Sequence, residues 1–394
     1  MEKINIINRK PYIKIDSKIC ASCIYDENVP AIEFDENGIC NYCKMIDNLK
    51  DQYHTGTTKG VEDFLKIIEQ IKKDGKGKKY DCVVGVSGGT DSSYMIIKAI
   101  EWGLRPLAVH YDNTWNTAIA TENIRKILSK LNVDLFTHVT DNKEADDIFK
   151  SFFLANVPEI DGSTDIALAE TLYRAASKFK VKYILEGHSF MTEGVSPLSS
   201  AYVDGAYIKN LHKMFGKLRM KTFPNMNFMS FMKWIIVKRI KKIRPLWYIP
   251  YSKKEAQEML EKEYDWKYYG GHHLENRMTA FNHSVYFPQK FGIDQRNNSL
   301  SAAVRAGIMT KEEAIKEYNS DPLIEDELVS YFKKRLEISD EKYALVMNGD
   351  RKTYRDYPTY KKRFERLRPL FFILAKAHLV PMSFYIKYTS KSEM

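Results

Sequence analysis

Cysteine is scarce in this chain of 394 residues: there are 5, and none from Val83 to Met394. A disulfide-rich secreted scaffold is therefore excluded. Long hydrophobic runs are missing too. Phe228–Ile240 is broken by Lys233, Lys238 and Arg239, and Leu367–Val380 by Lys376 and His378. Neither approaches the roughly 18 to 20 apolar residues of a spanning helix. Met1–Lys14 alternates charged and apolar residues without the apolar core and small-residue cleavage site of a signal peptide, so a cytoplasmic location is expected. The common nucleotide loops are absent as well: Gly75-Lys76-Gly77-Lys78 lies in a linker and is followed by no Ser or Thr, and no G-x-G-x-x-G opens a helix there. What remains is 44% hydrophobic and 13% aromatic, enough for a core, in a length suited to two or three domains. The formal charge of +10 points to an anionic partner without separating RNA, nucleotides, phosphorylated substrates or a membrane surface.

Four of the cysteines fall together: Cys20, Cys23, Cys40 and Cys43, a C-x2-C-x16-C-x2-C pattern. Two close pairs, with Ile24–Ile39 returning as a hairpin or loop, suit a tetrahedral zinc site. With all four positions thiolate the Zn2+ is structural, since no open position is left for a reactant. The fifth, Cys82, reads as a small buried strand residue.

From Tyr80 the sequence runs YDCVVGVSGGTDSSYMIIKAIEWG. Tyr80–Val86 suits a strand buried on both faces, and Ser93–Trp102 a helix ended by Gly103. A Gly-Gly turn rich in hydroxyls between them is a cradle for an oxyanion at a helix N-terminus. Further strands are expected at Pro106–Tyr111, Val133–Val139 and Val181–Glu186, with helices at Val61–Ile71, Ala118–Leu131 and Asp165–Phe179. This alternation implies βαβ units, a parallel sheet and a ligand at the C-terminal strand ends. Those ends carry SGGTDS, HYDNTW and EGHSFMTEG.

SGGTDSS resembles the S-G-G-x-D-S signature of the PP-loop ATP pyrophosphatases, which cleave ATP to AMP and pyrophosphate. The resemblance implies an adenine nucleotide alpha hydrolase-like α/β fold, its parallel sheet flanked by helices, with an N-terminal four-cysteine module and a mostly helical C-terminal region. It implies that Ser87, Gly88, Gly89, Thr90, Asp91 and Ser92 hold the phosphates, with Asp91 ordering the loop or its Mg2+. His110, Asp112, Asn113 and Gly187 would line the rest of the nucleotide site, although Thr114 stands where relatives often have Gly. Within the superfamily, the zinc pairs, DNTWNT, GHSFMTEGVSPLSSAYVDGAYIKNLHKMFG and KFGIDQRNNSLSAAVRAGIMTKEEA resemble the N-acetyl sugar amidotransferases of surface-polysaccharide and flagellar-glycan synthesis.

That resemblance implies a nucleotide-linked N-acetyl sugar as substrate and an acetamidino sugar as product. Catalytic roles would fall to Asp91, Ser87, Glu193 and His188, and sugar nucleotide contacts to Glu193, Lys290, Asp294 and Arg296. No Cys-His-Glu glutaminase constellation can be assembled around Cys82, so ammonia is expected from a separate glutaminase subunit, with a barrel-type conduit subunit as a further partner. A tRNA thiolation enzyme is the second reading. The lone spare cysteine argues against it, and no nucleic-acid partner is expected.

The expected organisation is a zinc module over 1–55, a PP-loop domain over 56–205, a substrate or partner region over 206–330 and a basic helical tail over 331–394. The tail, with Lys361, Lys362, Arg363, Arg366 and Arg368, carries an expectation of peripheral membrane proximity.

Overall fold

The computed structural model describes residues 13–14, 16–195, 202–269, 275–321, 326–377 and 379–391. Part of the long block after the fourth strand, 196–201, therefore lies outside the described residues, as do 1–12.

Five parallel strands form one sheet: β1 (Cys82–Gly85), β2 (Pro106–Asp112), β3 (Leu135–Val139), β4 (Tyr183–Leu185) and β5 (Lys241–Ile243), in the order β3-β2-β1-β4-β5. Around them run α1 (Asn41–Tyr53), α2 (Thr58–Gly75), α3 (Thr90–Glu101), α4 (Ala118–Leu131), α5 (Asn142–Leu154), α6 (Gly162–Lys178) and α7 (Phe190–Glu193). After these come α8 (Gly205–Phe215), α9 (Phe228–Met232), α10 (Lys253–Tyr264), α11 (Arg277–Phe281), α12 (Arg296–Arg305) and α13 (Lys311–Asn319). The chain ends in α14 (Leu328–Arg335), α15 (Asp340–Asn348), α16 (Lys361–Arg366), α17 (Arg368–Lys376) and α18 (Met382–Thr389).

Alternation along the strands builds two cores. Val83, Leu107, Val109 and Ile184 face a core shared with α5, α6 and the C-terminal helices. Cys82, Val84, Ala108, Tyr183 and Leu185 face the other, shared with α2, α3 and α4. Both faces being covered accounts for the near-continuous apolar strands. Side-chain caps fix several helix starts: Thr57 for α2, Thr117 for α4, Asp141 for α5 and Ser252 for α10 each accept from a first-turn N–H.

Four strands and the flanking helices match the sequence expectation, and the C-terminal region is helical. Beyond the four expected strands, Lys241–Ile243 adds a fifth beside β4. Three residues are too few for a period-2 pattern, and two are lysines. Their pairing is electrostatic as well as backbone: Lys242 and Arg244 reach Glu186 at 2.6 and 3.1 Å. Burial alone would raise the Glu186 carboxyl, but these two cations hold it down at about 2. Helix α5 was also missed.

Candidate functional site

The chain builds the sheet from β1 through β2 to β3 on one side, then crosses back to place β4 and β5 on the other, so the C-terminal end of β1, beside β4, is the switch point of the sheet, where open α/β folds bind ligands. The SGGTDSS turn sits there. Gly88 has φ +85, and a Cβ on it would stand 2.3 Å from the Ala120 carbonyl oxygen of α4's first turn, so both its conformation and its packing require glycine. The Ser87 N–H donates to Ser92 Oγ at 3.2 Å, and Ser92 Oγ donates to the Gly89 carbonyl at 3.2 Å, closing the turn on itself. Gly89 is the N-cap of α3 and offers no side-chain acceptor, so the helix end lacks the ordinary internal cap. From β4, Gly187 packs on the same helix end; a Cβ there would lie 2.7 Å from the Asp91 carbonyl oxygen. Thr90 is buried and accepts from Gln257 at 3.2 Å.

Asp91 points into a charged cluster that sequence reasoning missed. The Tyr251 hydroxyl donates to one of its carboxylate oxygens, and the Lys253 ammonium pairs with the other at 3.2 Å. Tyr269 and Glu275 close the space over Gly89: a Cβ there would lie 2.9 Å from the Tyr269 hydroxyl and 3.4 Å from Glu275 Oε1. Burial would lower the Lys253 ammonium, but Asp91, Glu193 and Glu275 reverse this and keep it above the ordinary lysine range. Lys253 is the first residue of α10, where the helix dipole disfavours a cation. Its place there answers to the three carboxylates, not to its own helix. Burial, then the Asp91 charge, raises the Tyr251 phenol, which stays a neutral donor. The sequence signal was Ser252-Lys253-Lys254-Glu255, a helix start with lysines in its first turn.

On the β4 side, the Trp247 indole N–H donates to His188 Nδ1 at 3.2 Å. That bond assigns the ring proton to Nε2, which faces Glu193 Oε2 at 3.7 Å. Glu193 closes the short helix α7 and is turned by the Gly194 bend at φ +73. On the β2 side, His110 Nδ1 bonds the Val86 carbonyl at 2.8 Å, and Asn116 reaches His110 Nε2 at 3.2 Å. Asn276 donates to both Asn113 Oδ1 and Asn116 Oδ1, at 2.9 and 3.0 Å, and the Asn116 and Asn276 backbones form an antiparallel bridge. Asp112 accepts from the Thr114 N–H at 2.7 Å. At the three strand ends, His110 thus bonds the Val86 carbonyl just before the turn, Gly187 packs on the Asp91 carbonyl, and Lys253 feels both Asp91 and Glu193, while Asp112 and Asn113 shape the β2 loop.

Lys290, Asp294 and Arg296, the expected sugar contacts, are engaged with groups of the protein itself. Lys290 is 2% exposed, and its ammonium donates to the carbonyls of Val346 and Gly349 and to Asn156 Oδ1. Arg296 pairs with Asp294 at 2.7 Å and donates to the Glu317, Tyr318 and Ser320 carbonyls, fastening α12 to the end of α13. Lys290 thus spends its three donors inside the fold, and Arg296 spends most of its five there.

The cysteine quartet assembles as expected. All four sulfurs lie within 4.8 Å of one another, with Cys20 and Cys43 3.8 Å apart and Cys23 and Cys40 3.9 Å apart. Sulfurs bound tetrahedrally at about 2.3 Å from one ion stand about 3.8 Å apart, so the quartet fits Zn2+. Backbone N–H groups of Ser22, Tyr25, Cys40 and Cys43 point at the sulfurs, and Arg305 Nη1 approaches Cys43 Sγ at 3.7 Å. Such donors offset the negative charge of four thiolates on one divalent ion. The Tyr25 hydroxyl donates to Asn298 Oδ1 at 2.6 Å and lies 3.3 Å from the Val195 carbonyl, setting the module against α12 and the loop after Glu193. Cys82 stays apart, fully buried in β1 with its thiol pushed up by burial.

Residues 275–368 match the family model "LPS biosynthesis protein WbpG-like, C-terminal domain". Over 320 residues the chain is 24% identical to the uncharacterized protein MJ1599 of Methanocaldococcus jannaschii, covering 80% of this chain and 98% of that one. Among solved structures, NMN synthetase from Francisella tularensis aligns over 72% of this chain and 95% of its own, at 13% identity and a TM-score of 0.31. The NH3-dependent NAD synthetase of Campylobacter jejuni aligns over 79% and 99%, at 12% identity and a TM-score of 0.30. The U34-tRNA thiolase NcsA of Methanococcus maripaludis aligns over 78% and 90%, at 13% identity and a TM-score of 0.30. No helix among the described residues is long and apolar enough to cross a membrane.

Proposed function

We propose that this chain is an ATP-dependent amidotransferase that converts an N-acetyl group of a nucleotide-linked sugar to an acetamidino group. One observation carries the reading: the segment that matches the WbpG-like domain begins at residue 275, and its first residues, Glu275 and Asn276, stand against the phosphate loop and the β2 loop. A loop suited to pyrophosphate and a domain type associated with lipopolysaccharide synthesis therefore share one crevice.

An acetamide oxygen is a weak nucleophile and a poor leaving group. Attack by that oxygen on the α-phosphorus of ATP expels pyrophosphate and forms an O-adenylyl imidate. Ammonia then adds to the imidate carbon, loses a proton, and AMP departs with the former acetyl oxygen. The Ser87–Ser92 turn and the end of α3 would hold the departing pyrophosphate, with Lys253 beside it as the nearest cation to Asp91. Asp91 and Glu275 suit a Mg2+ ion carried by ATP, which neutralises phosphate charge when bound. Glu193, with His188 Nε2–H facing it, would take the ammonia proton. Ammonia would come from a separate glutaminase subunit, with a barrel-type conduit as a further partner. The cysteine quartet would hold structural Zn2+. Sulfur transfer to tRNA is the weaker reading, because the one cysteine outside the quartet is buried and held neutral.

The test supplies ATP, Mg2+, ammonium and a panel of UDP- and CMP-linked N-acetyl sugars, with mass detection. The expected result is AMP, pyrophosphate and an amidino sugar from a matching donor only. No amidino product from any sugar, with ATP cleavage stimulated by tRNA instead, would overturn the proposal.

A further inference from the structure

The loop leaving β2 is fixed by a side chain that arrives from far along the chain. Thr114 has φ +64, a left-handed conformation in which a β-branched side chain crowds its own backbone. On one side, Asp112 and Asn113 accept from the Thr114 and Trp115 N–H groups at 2.7 and 3.1 Å. These bonds shape the turn but place no group on the Thr114 carbonyl. On the other side stands Arg335, the last residue of α14. Its Nη1 donates to the Thr114 carbonyl and its Nη2 to Thr114 Oγ1, both at 2.6 Å. Its Nε spans both carboxylate oxygens of Asp146 at 3.1 Å, and its guanidinium stacks 4.1 Å from the centre of the Trp115 ring. Asp146 in turn accepts from the Trp115 indole N–H at 2.7 Å.

An exposed pair of this kind would contribute little. Here the Arg335 and Asp146 side chains are only 16% and 17% exposed, and the planar fork serves a carbonyl, a hydroxyl and a carboxylate at once. Apart from a bond to Tyr331 on its own helix, each of these contacts ends on Thr114, on Trp115 or on Trp115's own partner. The loop it fixes leads directly into the first turn of α4, where the Ala120 carbonyl packs on Gly88, and it carries Asn116, which holds His110 against the Val86 carbonyl. A change of conformation at Thr114 would therefore move two supports of the phosphate loop.

We propose that Arg335 is a positioning residue that holds Thr114 in its left-handed conformation and thereby sets the wall of the nucleotide site between β1 and β2. The inference rests on the reading that this crevice binds ATP. It gives the C-terminal region, which the matched family segment covers up to residue 368, a direct part in forming a site whose phosphate loop lies near residue 90.

The test measures binding of α,β-methylene-ATP to the full chain. Removing Arg335 alone would strand the half-buried Asp146, so the variant is Arg335→Met combined with Asp146→Asn. Its Kd should rise about tenfold, with kcat on saturating ATP changed by less than about threefold. Adding Thr114→Gly should bring the Kd back to within about threefold of wild type, because glycine adopts a positive φ without help. A merely structural role would not be rescued by that third change. Wild-type affinity in the double variant, or no recovery in the triple variant, overturns the proposal. A wild-type chain that does not bind the analogue overturns the ATP reading itself, and this inference with it.

Discussion

Lys253 and Lys290 both bring an ammonium into the protein, but from opposite ends of helices. Lys253 opens α10, the end where the helix dipole repels a cation, and is surrounded by Asp91, Glu193 and Glu275. Lys290 reaches the last carbonyls of α15 and its cap, Val346 and Gly349, where a cation is welcome. Carboxylates hold the first above the ordinary lysine range, whereas burial and then the nearby Arg351 lower the second to about 8. A lysine at the unfavourable helix end, ringed by acids beside the Gly-Gly turn, is held by those acids, and on the proposed function it serves the nucleotide. A lysine that caps a helix is arranged for the fold.

Substitutions separate the two roles. Asp91→Ala, which removes the acid that both Tyr251 and Lys253 engage, should leave no detectable formation of AMP, with a far-ultraviolet circular dichroism spectrum like that of the wild type. Retained turnover would remove the phosphate-loop assignment. Lys253→Met should lower the rate of AMP formation by about 100-fold, the scale of losing one preorganised charge-stabilising group, at little cost in denaturant midpoint. Lys290→Met should do the reverse. Stranding two carbonyls and Asn156 Oδ1 should cost about 1–3 kcal/mol of stability, read from urea unfolding, while kcat/KM stays within about twofold. If Lys290→Met instead lost activity without losing stability, the contrast between the two lysines would fail.

The smallest expected effect is on pH dependence. Lys290 titrates near 8 in the folded chain and near 10.4 when unfolded, so between those values the unfolded chain binds more protons. Stability should therefore rise with pH across that window, and Lys290→Met should flatten the slope. A slope that survives the substitution would assign it to other groups.

The same contrast explains what could be read from the sequence. Four strands, the turn from β1 into α3 and the cysteine quartet were legible because each is dense and local: a buried apolar run, a Gly-Gly turn with hydroxyls, two C-x2-C pairs. The charged ring around Asp91 was not, because Tyr251 lies 160 residues away from it, and Lys253, Tyr269 and Glu275 lie further along the chain. Strand β5 escaped because its three residues carry no alternation and two lysines. Lys290, Asp294 and Arg296 were read as sugar contacts because charge in a polar block suggests a surface, whereas carbonyls from distant helices satisfy two of them inside the fold. Thr114 is the middle case: its place after Asp112-Asn113 was seen as a departure from glycine, but the arginine that makes a threonine workable there is 221 residues away.

The central claim concerns the path of one oxygen atom. An N-acetyl sugar nucleotide labelled with 18O in its acetyl carbonyl should, with ATP and ammonium, give an unlabelled amidino sugar and AMP that carries the label in its phosphate. Label retained in the sugar, or AMP formed without it, would contradict adenylation of the acetamide oxygen in this crevice.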